Sequence, residues 1–218
     1  GEIIKEQNIL SAELDMIEQA ENFILLDLFL YNDAYNKQTE IYPQTTKIIT
    51  DALIAKKKQK PEMDIIFITD PINGFYVAFE EKNAKAIREN GIVVIETDLD
   101  KLKDSNVLYS GYYRFFVKPF GNNGKGWIKN PMDETAPDVN IRSILKLANF
   151  KANHRKILIT EKEALIASAN PHDASSYHSN VAVRFQSDVI QQMIEGERTV
   201  ADFSGTVLPN LVYKGTAN

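Results

Sequence analysis

A histidine and a lysine one residue apart open the stretch HRKILIT at 154–160, and Ser168 and Asn170, also one residue apart, close EALIASAN at 163–170. An imidazole is neutral near pH 7, attacks readily and can later leave, which suits His154 to nucleophilic catalysis. Negative charge grows on the oxygens of the attacked group during such a step. Lys156 supplies a positive charge to meet it, and Ser168 and Asn170 supply neutral donors. The other two histidines, His172 and His178, follow close behind, and neither begins a second His-x-Lys pair. They are expected as loop residues that cap a turn or line the site.

These side chains need elements to aim them. Both stretches are rich in branched apolar residues and are separated by Glu161, Lys162 and Glu163, which predicts a hairpin. Side chains alternate faces along a strand, so His154 and Lys156 point one way and Ser168 and Asn170 share a face of theirs. The expectation is that all four converge.

Upstream, apolar residues three and four apart predict helices over 9–22, 44–59 and 80–91, the last closed by Gly91. Lys56, Lys57 and Lys58 read as the solvated end of the second. Short continuous apolar runs predict buried strands at FILLDLFLY, MDIIFITDPIN and IVVIETD. Asp70 and Asn73 end the second of these. They could simply form a turn, but ligands in open α/β sheets gather beyond such strand ends, so both are candidates for lining the site.

Strands alternating with helices predict an α/β sandwich, its central sheet mostly parallel or mixed with helices on both faces. Residues 98–140 break the alternation with GNNGKG, Pro131 and Pro137, and are expected to form a long loop-rich insertion. Its Tyr112, Tyr113, Phe115, Phe116 and Trp127 are expected as core or loop anchors; exposed near the site, they would suit lipid chains. NIRSILKLAN at 140–149 predicts a short amphipathic helix.

The 218 residues, 44% hydrophobic and 25% charged, are expected to form one domain over 1–218. A net charge of −5 gives no overall attraction to a polyanion, so nucleic acid is not the expected partner unless a local patch supplies the attraction. Without cysteine there is no thiolate nucleophile and no disulfide. The apolar run FILLDLF falls far short of the roughly 20 residues that a membrane-spanning helix needs.

Taken together, His154, Lys156, Glu161, Ala167, Ser168 and Asn170 resemble the signature of the phospholipase D superfamily: His, any residue, Lys, four residues and an acid, then a Gly-Ser or similar pair and Asn. Glu161 stands where Asp is usual and Ala167 where Gly is usual, and the spacing from acid to small pair is one residue short. FITDPIN, DLDKLKDSNVLYSGYYR and NPHDASSYHSNVAVRF extend the resemblance along most of the chain.

The resemblance implies a phospholipase D-like fold and hydrolysis or transphosphatidylation of a phospholipid through a phosphohistidine, with no metal or other cofactor. It assigns His154, Lys156 and Glu161 as catalytic and Ser168 and Asn170 as phosphate-binding. Glu161 would orient an imidazole, that of a partner motif. The acid that protonates the leaving alcohol comes from a second copy of the motif, so the chain is expected to be one half of a site. The second half would lie further along the same natural chain, which begins here at Gly1, or in a homodimer partner. A membrane-associated or exported bacterial protein would be consistent with this. The alternatives are a nuclease of the same superfamily and a noncatalytic half-domain that supports an active one.

Overall fold

The computed structural model describes residues 8–121, 126–133 and 135–215. Six strands form one mixed sheet in the order β3-β2-β1-β4-β5-β6: β1 (Phe23–Leu28), β2 (Asp64–Thr69), β3 (Val93–Glu96), β4 (Lys156–Thr160), β5 (Ala164–Ala167) and β6 (Ala182–Phe185). The first three run parallel, whereas β4, β5 and β6 each pair antiparallel to the strand before them in the sheet. The sheet is therefore mixed rather than mostly parallel. The predicted hairpin is β4–β5.

Strand β1 lies at the centre and is buried along its whole length, which is why it reads as a continuous apolar run. Its even residues Ile24, Leu26 and Leu28 pack with Phe67, Leu158 and Leu165 under α1 (Ile9–Gln19), α2 (Thr45–Gln59) and α3 (Lys82–Glu89). Its odd residues Phe23 and Leu25 pack with Ile66, Ile157 and Ile159 under α6 (Val189–Phe203) and the segment carrying Leu208 and Leu211. Gly91 adopts φ +79° just past α3, where a left-handed residue ends the helix.

The region 98–140 is more structured than a loop. It carries α4 (Val107–Phe116), capped by the Asn106 side chain, and a bridge between Ile128 and Val139; α5 (Ile141–Leu147) follows, where the amphipathic helix is predicted. Positions 122–125, within GNNGKG, lie outside the described residues.

Two expectations fail here. Of the aromatics expected as anchors, only Tyr113 is buried; Tyr112, Phe115, Phe116 and Trp127 are 54–79% exposed. Alternate turns of α4 put Ser110, Tyr113 and Val117 inward and leave the aromatic face in solvent. Lys56 is not solvated either. Its stem is buried and its ammonium reaches the Glu18 carbonyl, so it holds the end of α1 against α2.

Candidate functional site

Because β4 runs antiparallel to β1, its first residue sits beside the last of β1, with Lys156 opposite Leu28. His154 and Lys156 thus stand at the carboxyl edge of the parallel strands, where open α/β sheets expose side chains beyond their ends. Lys156 shares the face of Leu158. Its Nζ lies 3.2 Å from His154 Nδ1, 3.3 Å from Nε2 and 3.1 Å from the His154 carbonyl. Phe29, just past β1, packs on the imidazole at 4.5 Å between ring centroids and under the ammonium at 5.2 Å.

Burial, and then the Lys156 charge, push the His154 pKa below its usual value; burial also pushes Lys156 down. The imidazole is therefore held in its neutral, nucleophilic form. His154 itself is exposed, so the ring is open to a ligand.

The four polar groups do not all converge. Asn170 does approach: its Oδ1 accepts from the Leu30 N–H at 3.2 Å, one residue past Phe29. Ser168 does not. Its hydroxyl donates to Asn180 Oδ1 at 2.9 Å and accepts from the Val181 N–H at 3.0 Å, which fastens the end of β5 to the start of β6. Strand β5 ends at Ala167, so strand alternation no longer places these two side chains, and each goes to the backbone N–H it serves, Leu30 for Asn170 and Val181 for Ser168.

Glu161 requires the larger correction. It lies at the far end of β4, about 16 Å from Lys156 at strand rise. Its carboxylate accepts from the N–H groups of Glu21 at 2.9 Å, Asn22 at 3.1 Å and Phe23 at 3.4 Å, and is 1% exposed. A carboxylate filled by three backbone donors staples the α1–β1 turn to the hairpin. Sealed at that end of the hairpin, it is closed to the imidazole of a partner motif that it was expected to orient.

Asp70 and Asn73 serve as framework beside the site. Asp70 is fully buried; it accepts from Ile72 N–H at 2.9 Å and from Asn153 N–H at 2.7 Å, which fixes the residue preceding His154. Burial pushes its pKa up to about 6. Asn73 accepts from Tyr31 N–H and Asn32 Nδ2, and donates to the Phe29 carbonyl, Thr69 Oγ1 and the Asp70 carbonyl, all within 3.1 Å. One amide thereby ties the chain after β1 to the end of β2.

His172 is buried, with Nδ1 2.9 Å from Ser175 Oγ and Nε2 3.4 Å from the Ala34 carbonyl, and burial pushes its pKa down. It caps a turn. His178 is exposed and lines, with Asn170, Ser175 and Thr45, a cleft of about 250 Å³.

A cluster behind the site was not expected. Asp27, one residue before the end of β1, faces away from Lys156 and meets Asn153 Nδ2 at 2.8 and 2.9 Å and the carboxyl of Glu197 on α6. Arg155 approaches both acids, at 3.8 and 3.6 Å. Burial and then a hydrogen bond donated to the Asp27 carboxylate push Glu197 up to about 9, and burial raises Asp27. Glu197 is thus the carboxyl raised furthest, and the one that favours its protonated form near pH 7. A charged residue inside the apolar run FILLDLF was the sequence signal for this cluster.

No protein-family model and no curated protein matches the chain. Solved structures similar to it at low identity include the following two. A phospholipase D family member, Nuc from Salmonella typhimurium, is 14% identical with a TM-score of 0.48, over 88% of this chain and 86% of that one. NucT from Helicobacter pylori is 10% identical with a TM-score of 0.47, over 88% and 87%.

Proposed function

We propose that this chain is a phosphodiesterase of phospholipase D type that acts on a phospholipid headgroup, with His154 as nucleophile. What carries the reading is the pairing of a neutral, exposed imidazole with Lys156 Nζ at 3.2 Å on the carboxyl edge of the sheet. An unprotonated ring nitrogen of His154 attacks phosphorus, the P–O bond to the leaving alcohol breaks, and a phosphohistidine forms. Lys156 and the amide of Asn170 meet the charge on the nonbridging oxygens. The alkoxide takes its proton from a second histidine, supplied by another copy of the motif in the same natural chain or a homodimer partner. The second histidine, now neutral, takes the proton of water or of an acceptor alcohol as that oxygen attacks phosphorus; the P–N bond breaks, the product phosphate ester leaves, and both imidazoles return to their starting states.

The exposed aromatic face of α4 favours a lipid substrate, since Tyr112, Phe115 and Phe116 offer apolar surface to acyl chains. A second reading, a nucleic-acid strand, is favoured by charge distribution. Residues 101–156 hold eleven Lys and Arg against four Asp and Glu, a net +7, while the rest holds fourteen against twenty-six, a net −12. That is the local patch a polyanion would need.

Turnover of bis(p-nitrophenyl) phosphate, with peptide mass spectrometry after an alkaline quench, tests the nucleophile. Phosphate on the peptide containing His154, absent in His154→Ala, is the expected result. Phosphate found only on His172 or His178 overturns the assignment, and a folded chain that stays inert even when supplied with a second motif-bearing half makes it a noncatalytic scaffold. Hydrolysis of phosphatidylcholine vesicles against that of single-stranded DNA separates the two substrate readings.

A further inference from the structure

Beyond the end of β3, α4 and α5 enclose a recess of about 50 Å³, separate from the cleft at Asn170. Arg114, Lys118, Lys146 and Lys151 all line it. Asp104 answers two of these, Arg114 and Lys151, each at 2.7 Å, and Asp100 answers Lys118 at 2.7 Å. Lys146 pairs with no carboxylate among the described residues. Four cations against two acids leave an excess of two positive charges around one small hollow.

A second observation points into the same place. The Ser110 hydroxyl, on a residue 1% exposed, lines the recess and has no hydrogen-bond partner among the described residues. Leaving a buried hydroxyl unpaired is costly, so such groups nearly always have a partner. A cation would be repelled by the excess positive charge, and a neutral ligand would leave it unanswered. An oxyanion with several acceptor oxygens satisfies Ser110 and Lys146 together. The volume holds about four water-sized groups, enough for a tetrahedral anion.

We infer that this recess is an oxyanion site that takes a phosphate group. It lies on the same edge of the sheet as His154, three strands away, about 14 Å at the usual strand spacing. The phosphate is either free inorganic phosphate or a second phosphate group of the substrate. Only the latter source rests on the reading of His154 as nucleophile.

Inorganic phosphate titrated into the whole chain at pH 7, followed by amide NMR, tests the site. The amides of Ser110 and Lys146 should shift, with affinity weakened about tenfold or more in both Lys146→Glu and Lys146→Gln, since a charge-assisted hydrogen bond is lost. The same shifts should persist in His154→Ala, whatever becomes of turnover. Unmoved recess amides, unchanged affinity in both Lys146 variants, or loss of the shifts in His154→Ala would each overturn the inference. Displacement of phosphate by a diester carrying a second phosphate group, but not by bis(p-nitrophenyl) phosphate, assigns the site to substrate; displacement by neither assigns it to free phosphate.

Discussion

The two ends of β4 carry polar groups of opposite kinds. At its start His154 is exposed and Lys156 points into the site, with ring nitrogens and ammonium near one another and room for a ligand. At its far end Glu161 is sealed, each of its hydrogen bonds made to backbone. A spacing of five residues from lysine to acid looks like one catalytic unit on paper. In the fold a strand lies between them, and one end is built to react while the other is built to hold.

The sharpest way to break this contrast is to remove the nucleophile. His154→Ala should lower turnover of bis(p-nitrophenyl) phosphate at least about 1,000-fold, as loss of a covalent nucleophile does, with the melting temperature unchanged. Retained turnover would erase the chemical character of that end. Lys156→Met keeps the buried stem and deletes the charge, and should cost about 100–1,000-fold in kcat, the range found when one donor to a developing oxyanion is lost.

Glu161→Ala should show the reverse pattern. Leaving three N–H groups unserved costs on the order of 2–4 kcal/mol, a fall of several degrees in melting temperature, while kcat in the surviving folded protein stays within about threefold of the parent. A large kcat defect at full stability would return Glu161 to the chemistry. Glu161→Asp should recover part of the loss, because it keeps the carboxylate but shortens its reach.

The smallest effect concerns the cluster behind the reactive end. Glu197 has its folded pKa raised from about 4.5 to about 9, so the folded protein keeps a proton that the unfolded chain sheds. That contribution is present in full below the unfolded pKa and is lost as pH rises through the folded one. Melting temperature should therefore fall from pH 7 to pH 9, by the equivalent of about 1–2 kcal/mol. Glu197→Gln should flatten that slope, and an unchanged slope in the variant would remove the pair from the account. His154 and His172, whose pKa values are lowered, act at more acidic pH and in the opposite sense.

Much of the frame was legible in the sequence, for physical reasons that also mark where it stopped. Strands β1 and β2 are buried on both faces over nearly their whole length, so they read as apolar runs interrupted only by Asp27 in β1 and opened by Asp64 in β2, and α1 to α3 pack one stripe each, so their spacing shows. Strand β6 is short and half exposed, so its four residues carry no clear signal. Helix α6 does carry a readable stripe in Ile190, Ile194, Val200 and Ala201, which the expected elements do not include. The aromatics of α4 misled because residue type suggests burial, and only packing against a neighbour decides it. At the site, the His154–Lys156 pair followed from alternation along one strand. Ser168 and Glu161 depended instead on which backbone groups needed partners, and that was settled by chain segments up to 140 residues away.

Asn73 is followed by glycine, the pairing most prone to spontaneous deamidation, in which the next peptide nitrogen closes on the side-chain amide. Here that amide is held by Tyr31, Asn32, Phe29, Thr69 and Asp70, and the turn cannot swing freely because a Cβ at Gly74 would stand 2.4 Å from the Phe79 carbonyl. Ring closure therefore requires the turn to open first. The bond becomes a slow chemical clock: the fraction of protein carrying aspartate or isoaspartate at position 73 after storage records how often the edge beneath His154 has come apart.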